Sequence, residues 1–191
     1  KAQVERRFFD AGLMGVVVDV RDRTVLLSGS IESLWLKDQA IRQARKVRDV
    51  VNVVSTLTIP RGEGDGPLAR EIADDVSGSP QFSIFDDVSV HVADGVATLT
   101  GFVMTSDKSK EFVKLASRVP GVQQVVNQIE TLPASMMDDE LRMEIAAGIY
   151  NSPAFSSYAN QRNVPVHIIV RSGQVTLTGV VASGVERSVA E

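Results

Sequence analysis

"VADGVATLTG" (92–101) and "VRSGQVTLTG" (170–179) nearly coincide, and "VRDRTVLLSG" (20–29) is a looser third version. The fold turns on whether T-L-T-G is a phosphate-gripping loop, a hydroxyl-rich catalytic site, or the imprint of one unit used three times. A phosphate loop needs several glycines just before a helix. Here a single glycine follows an alternating run. Ala97, Leu99, Gly101 and Val103 share one face, and Thr98, Thr100 and Phe102 share the other. That is the two-residue period of a strand with one buried face. The glycine is then expected to let a helix lie close to the sheet or to permit a bend, with the threonines on a solvated face.

With Gly29, Gly101 and Gly179 in register, Val20, Val92 and Val170 align, as do Leu27, Leu99 and Leu177. Val16, Val88 and Val166 also fall together. Beyond the glycine, "ARKVRDVVNVVSTL" (44–57) runs opposite "ASRVPGVQQVVNQI" (116–129). The pattern predicts an α+β chain of three tandem αββαβ repeats, at 1–60, 61–134 and 135–191. Each would be a small three-stranded sheet with two helices on one face. In the middle copy the helices are expected over about 67–77 and 106–118, and the strands over 88–92, 96–103 and 122–132. Asp94-Gly95 marks a tight hairpin turn. The third copy reaches Glu191 before its last strand. Copy one lacks the turn glycine, having Asp22-Arg23, and carries Asp49 where copy two has Gly121. The stretches 60–67 and 133–139 read as linkers, and 151–163 as an inserted loop.

V-x-V-x-V, then D-G-V-x-x-L-x-G, then a helix running into V-x-G-V-x-x-V-x-N resembles the BON domain, a bacterial αββαβ module. Copy two carries all of it in "VSVHV", "DGVATLTG" and "VPGVQQVVNQI". The resemblance implies a non-catalytic protein of the periplasm or cell envelope, similar to osmotically inducible periplasmic proteins. Its implied partner is a phospholipid surface or a hydrophobic or envelope protein, in osmotic or envelope stress. No lipobox cysteine accompanies it.

Composition narrows the classes. The chain has 191 residues and a net charge of −4, with 43% hydrophobic and only 5% aromatic residues. That is a globular balance with little surface for stacking bases, so no nucleic-acid partner is expected. The absence of cysteine removes disulfides, thiol catalysis and Cys-based zinc sites. No apolar run approaches a membrane span. No signal peptide is visible, and the opening "KAQVERRFF" reads as the inside of a helix, as in a chain whose targeting segment has been removed.

No catalytic, cofactor or metal site is expected. His91 and His167 lie on outward strand parity without triad or metal spacing. Asp138, Asp139 and Glu140 read as helix-start charges, and Asp74-Asp75 and Asp86-Asp87 as solvated surface. "GLMG" (12–15) matches the KH-domain G-x-x-G only in letters, and "GEGDG" reads as linker. The informative oddity is "SLWLKDQAIRQARKVR" (33–48). Leu34, Trp35 and Leu36 stand where copy two has Ser106, Asp107 and Lys108, and the same helix carries Lys37, Arg42, Arg45, Lys46 and Arg48. Residues 1–60 hold 10 Lys+Arg against 7 Asp+Glu, whereas 61–134 hold 6 against 11. An apolar tip with a basic flank suits an anionic bilayer surface. The other reading has Trp35 packed on another repeat with the basic side chains solvated. A protein-assembly module acting through exposed sheet faces and edges, with self-association through the incomplete third repeat, is the alternative function.

Overall fold

The structure, a computed structural model, describes residues 1–158 and 164–190. The first repeat runs α1 (Ala2–Asp10), β1 (Val16–Arg21), β2 (Thr24–Gly29), α2 (Leu34–Arg45) and β3 (Asn52–Ser55). The second runs α3 (Asp65–Ser77), β4 (Asp87–Ala93), β5 (Val96–Val103), α4 (Ser106–Arg118) and β6 (Gln124–Thr131). The third has α5 (Met136–Tyr150), β7 (Val166–Arg171), β8 (Gln174–Gly179) and α6 (Gly184–Ala190). The helix–strand–strand–helix–strand order predicted from the sequence is therefore present twice in full. Among the described residues the third sheet has two strands.

By compactness the chain divides into two units. One is Lys1–Ile72, Val92–Ala97 and Lys114–Val126; the other is Ala73–His91, Thr98–Val113 and Asn127–Glu191. In the first unit β1 pairs antiparallel with β2, and β3 runs parallel to β2 with Val25 opposite Val53. A parallel neighbour needs a crossover, which α2 supplies. Val18, Val25 and Leu27 on one sheet face are buried with Val4 and Phe8 of α1 and Ala40 and Ala44 of α2. The opposite face stays open: Val17 is 61% and Val54 42% exposed. Both helices thus cover one face. Ser33 caps α2, its hydroxyl accepting from the Leu36 N–H at 3.4 Å.

In the second unit β7 pairs antiparallel with β8, Val166 opposite Gly179. Ile168 and Val170 pack with Ile149 of α5 and with Phe155. Phe155 belongs to a 3-10 turn, Pro153–Tyr158, inside the segment read as a plain inserted loop. Residues 159–163 of that segment lie outside the described residues. The Phe155 ring meets Tyr150 edge-on at 5.7 Å, so this part of the insertion closes the core.

The T-L-T-G glycines have a sharper cause than expected. Gly29, Gly101 and Gly179 hold φ of 115°, 115° and 130°, outside the range of other residues. A Cβ on each would overlap the carbonyl oxygen of Gly15, Asp87 and Pro165 respectively. The close approach is that of the backbone leading into the preceding strand, not of a helix. Thr98 and Thr100 are half-buried rather than fully solvated.

Candidate functional site

Helix α2 turns Ala40 and Ala44 inward, with Lys37 half-buried, and leaves Arg42 and Arg45 exposed; Lys46 and Arg48, expected on the same helix, are exposed just past its end. None of the last four cations makes an ion pair among the described residues. Arg42 and Arg45 fall in the last helical turn, where positive charge offsets the helix dipole. That effect explains two of the cations but not the whole cluster.

The apolar start of α2 is not a free tip. Leu34 and Leu36 pack on the repeat 1 core. Trp35 is half-buried, and the Arg118 guanidinium lies over its ring at 4.9 Å. Such a stack contributes about 0.5–1 kcal/mol near a surface. In copy two Asp107 occupies Trp35's position, and Lys110 at 2.9 Å holds that carboxyl below its ordinary range.

Leu36 has its own cause. Its counterpart Lys108 reaches the fully buried Asp86 at 2.6 Å. Asp86 also accepts from the N–H and hydroxyl of Ser83 at 2.8 and 2.7 Å and from the Met104 N–H at 3.1 Å. Asp86, read as solvated surface, is therefore a buried, fully bonded carboxylate. In copy one Met14 and Leu36 stand in the places of Asp86 and Lys108, so the apolar letters replace an ion pair. Lys108 also donates to the Ser83 hydroxyl at 3.1 Å. This is not a serine–lysine nucleophile pair, because Ser83 spends its proton on Asp86 and Lys108 is bound to the same carboxylate.

Asp138 is a helix-start charge, as expected from the sequence, but it does more than offset the helix dipole. It is only 4% exposed, and its carboxylate accepts from the N–H groups of Ser172 and Gly173, both at 2.9 Å. Asp65 grips the Asp94-Gly95 turn identically, at 2.9 Å twice. These acids at helix starts clamp the hairpin turn of their own repeat. Asp139 pairs with the buried Arg142, which also donates to the Val170 carbonyl at 2.5 Å. His91 is exposed as expected, but His167 is half-buried against Phe82, ring centroids 5.3 Å apart, with its Nδ1 unpartnered. Among the described residues no three His, Asp or Glu groups could hold one metal ion, and no helix is long and apolar enough to cross a membrane.

The sequence reading overlooked Arg6 and Arg7. With Gln3 and Asp10 they follow i, i+3, i+4, i+7 spacing on α1, one helix face. The fold brings that face beside Gln43, Lys46 and Arg48. The signal was present in the spacing, but only tertiary structure joins the two helices.

The BON domain family matches residues 2–61 and 64–133. Two solved structures from Chlamydia trachomatis share remote likeness. One, the C-terminal domain of CdsD, the structural protein of the type III secretion system, is 15% identical over 98% of this chain and 86% of that one, TM-score 0.31. The other, also of CdsD, is 14% identical over 93% of this chain and 75% of that one, TM-score 0.30. Neither likeness bears on function. No curated protein matches the chain. With two copies of the motif matched over most of its length, the chain belongs to the BON domain family of non-catalytic binding modules, often linked to membranes and the envelope.

Proposed function

We propose that this chain is an envelope-associated, periplasmic binding protein that docks on anionic phospholipid surfaces through repeat 1, under osmotic or envelope stress. Its working units are repeats 1–60, 61–134 and 135–191. One observation carries the reading: Arg42, Arg45, Lys46 and Arg48 are exposed on one short stretch, and none of them makes an ion pair among the described residues. Each basic residue near an anionic leaflet contributes about 1 kcal/mol. Leu34, Trp35 and Leu36 then act as the floor that fixes this helix rather than as inserted side chains, with Lys37 at its edge.

Sedimentation with vesicles of phosphatidylglycerol and phosphatidylcholine tests it. Arg42→Glu/Arg45→Glu is expected to weaken binding at least about tenfold, and Trp35→Ala to change it little. Unchanged binding of the charge-reversed protein refutes the reading.

A second reading, self-association or capture of an envelope protein, is favoured by the uncovered face of the repeat 1 sheet, where Val17 is 61% and Val54 42% exposed. Apolar side chains on an uncovered sheet face suit a protein partner. Size growth with concentration in light scattering, abolished by Val17→Lys/Val54→Lys and without vesicle binding, would select it.

A further inference from the structure

We propose that the groove between α1 and α2 of repeat 1 is a discrete site for a phosphate-bearing dianion or polyanion. The proposal deepens the membrane reading above, with which it shares Lys46 and Arg48, and it rests on that reading only for the source of the ligand.

The groove has a volume of about 770 Å³ and is bordered by Arg6, Arg7, Lys46, Arg48, Gln43 and Asp10. Four cations face one acid, a local excess of three positive charges. All four are exposed, and none makes an ion pair among the described residues. Holding like charges together without a partner is unfavourable, so an anion placed among them gains attraction and relieves repulsion at once. Two adjacent arginines on one side offer forked N–H donors suited to the tetrahedral oxygens of phosphate. Lys46 adds a point charge from the other side, and Gln43 adds neutral hydrogen-bonding capacity. The volume admits a phosphorylated headgroup or a diphosphate, beyond a lone ion.

The other repeats supply an internal control. Matching buried Val4 and Phe8 of α1 with Ile72 and Val76 of α3 sets Arg6 and Arg7 opposite Asp74 and Asp75. Matching Phe8 with Ile149 of α5 sets them opposite Ala147 and Gly148. The same helix face is basic, acidic and neutral in three copies of one scaffold. The basic pair is therefore not required by the fold.

Calorimetric titration of the intact chain with inorganic pyrophosphate and with glycerol 3-phosphate tests the site, beside vesicle sedimentation. Arg6→Ala/Arg7→Ala is expected to weaken pyrophosphate binding at least about tenfold, and Asp10→Asn to strengthen it a few-fold. Arg42→Ala/Arg45→Ala is expected to change it less than about twofold. The gain in Asp10→Asn cannot come from a misfolded protein. A parallel loss of vesicle binding in Arg6→Ala/Arg7→Ala identifies the ligand as a lipid headgroup. Unchanged vesicle binding, with pyrophosphate binding lost, identifies a free phosphate compound. Absence of saturable pyrophosphate binding to the wild type, or its indifference to Arg6→Ala/Arg7→Ala, overturns the site even where vesicles bind. Pyrophosphate binding without any vesicle binding keeps the site and removes the membrane reading.

Discussion

Repeats 1 and 2 build the same corner, where the first strand enters the sheet near the start of the second helix, from opposite materials. Repeat 2 uses Asp86, Ser83 and Lys108 in a closed hydrogen-bonded set. Repeat 1 has Met14 and Leu36 there; Leu36 packs on the core while Met14 is 73% exposed. The contrast extends to the hairpin turn. Gly95 and Gly121 of repeat 2 have positive φ, and their places in repeat 1 are taken by Arg23 and Asp49 at φ 63° and 70°. The Arg23 guanidinium donates to the Asp49 carbonyl at 3.0 Å. A satisfied polar set and an apolar substitute serve one backbone, but they leave different surfaces behind. Repeat 1, freed of the buried pair, is also the copy that displays cations.

The feature both corners share should be hardest to change. Gly101→Ala, and Gly29→Ala alike, is expected to cost about 5 kcal/mol, because Cβ meets a backbone carbonyl that cannot yield. Chemical denaturation would measure it; a loss below about 1 kcal/mol would refute the close-approach argument. Next comes the pair itself. Asp86→Ala strands Lys108 and should cost about 3 kcal/mol, whereas Asp86→Met/Lys108→Leu, which copies repeat 1, should stay within about 1 kcal/mol of wild type. Equal losses in both variants would show that the two corners are not interchangeable.

The turn gives a smaller effect. Arg23→Gly relieves a left-handed backbone but removes the bond to Asp49, so about 1 kcal/mol on each side nearly cancels. The reverse graft, Gly95→Arg, should be clearly destabilising, since Cβ would lie 2.9 Å from the Gln123 Cγ. Thermal midpoints of the two variants separate these outcomes.

The smallest effect contrasts repeat 3 with the others. Tyr150 stands where α3 has Ser77, and its hydroxyl donates to the Val166 carbonyl. Burial pushes its phenol above the ordinary value of 10.0. The unfolded phenol therefore ionises first, so the contribution is complete below pH 10 and fades as pH rises through the folded value. Tyr150→Phe should flatten the alkaline decline in stability, and an unchanged slope would assign that decline elsewhere.

Much of this was legible in the letters. Alternation in "VATLTG", the Asp94-Gly95 turn and the in-register valines specify strands, turns and repeats, since each depends on spacing along the chain. Asp86 was not legible. An acid beside another acid looks solvated until Lys108, far along the chain, is folded onto it. Asp138 was half-legible: its helix-start position was read correctly, while its grip on the Ser172-Gly173 turn depends on a contact across the repeat.

The letters by themselves therefore carried the αββαβ order and the recurring glycines through local periodicity, and the family resemblance through their motifs. Only tertiary structure decided which charges are buried, that Trp35 lies beneath Arg118, and that Arg6 and Arg7 share a groove with Lys46 and Arg48. Backbone pattern is encoded between near neighbours, whereas a charge takes its meaning from whatever distant residue folding brings beside it.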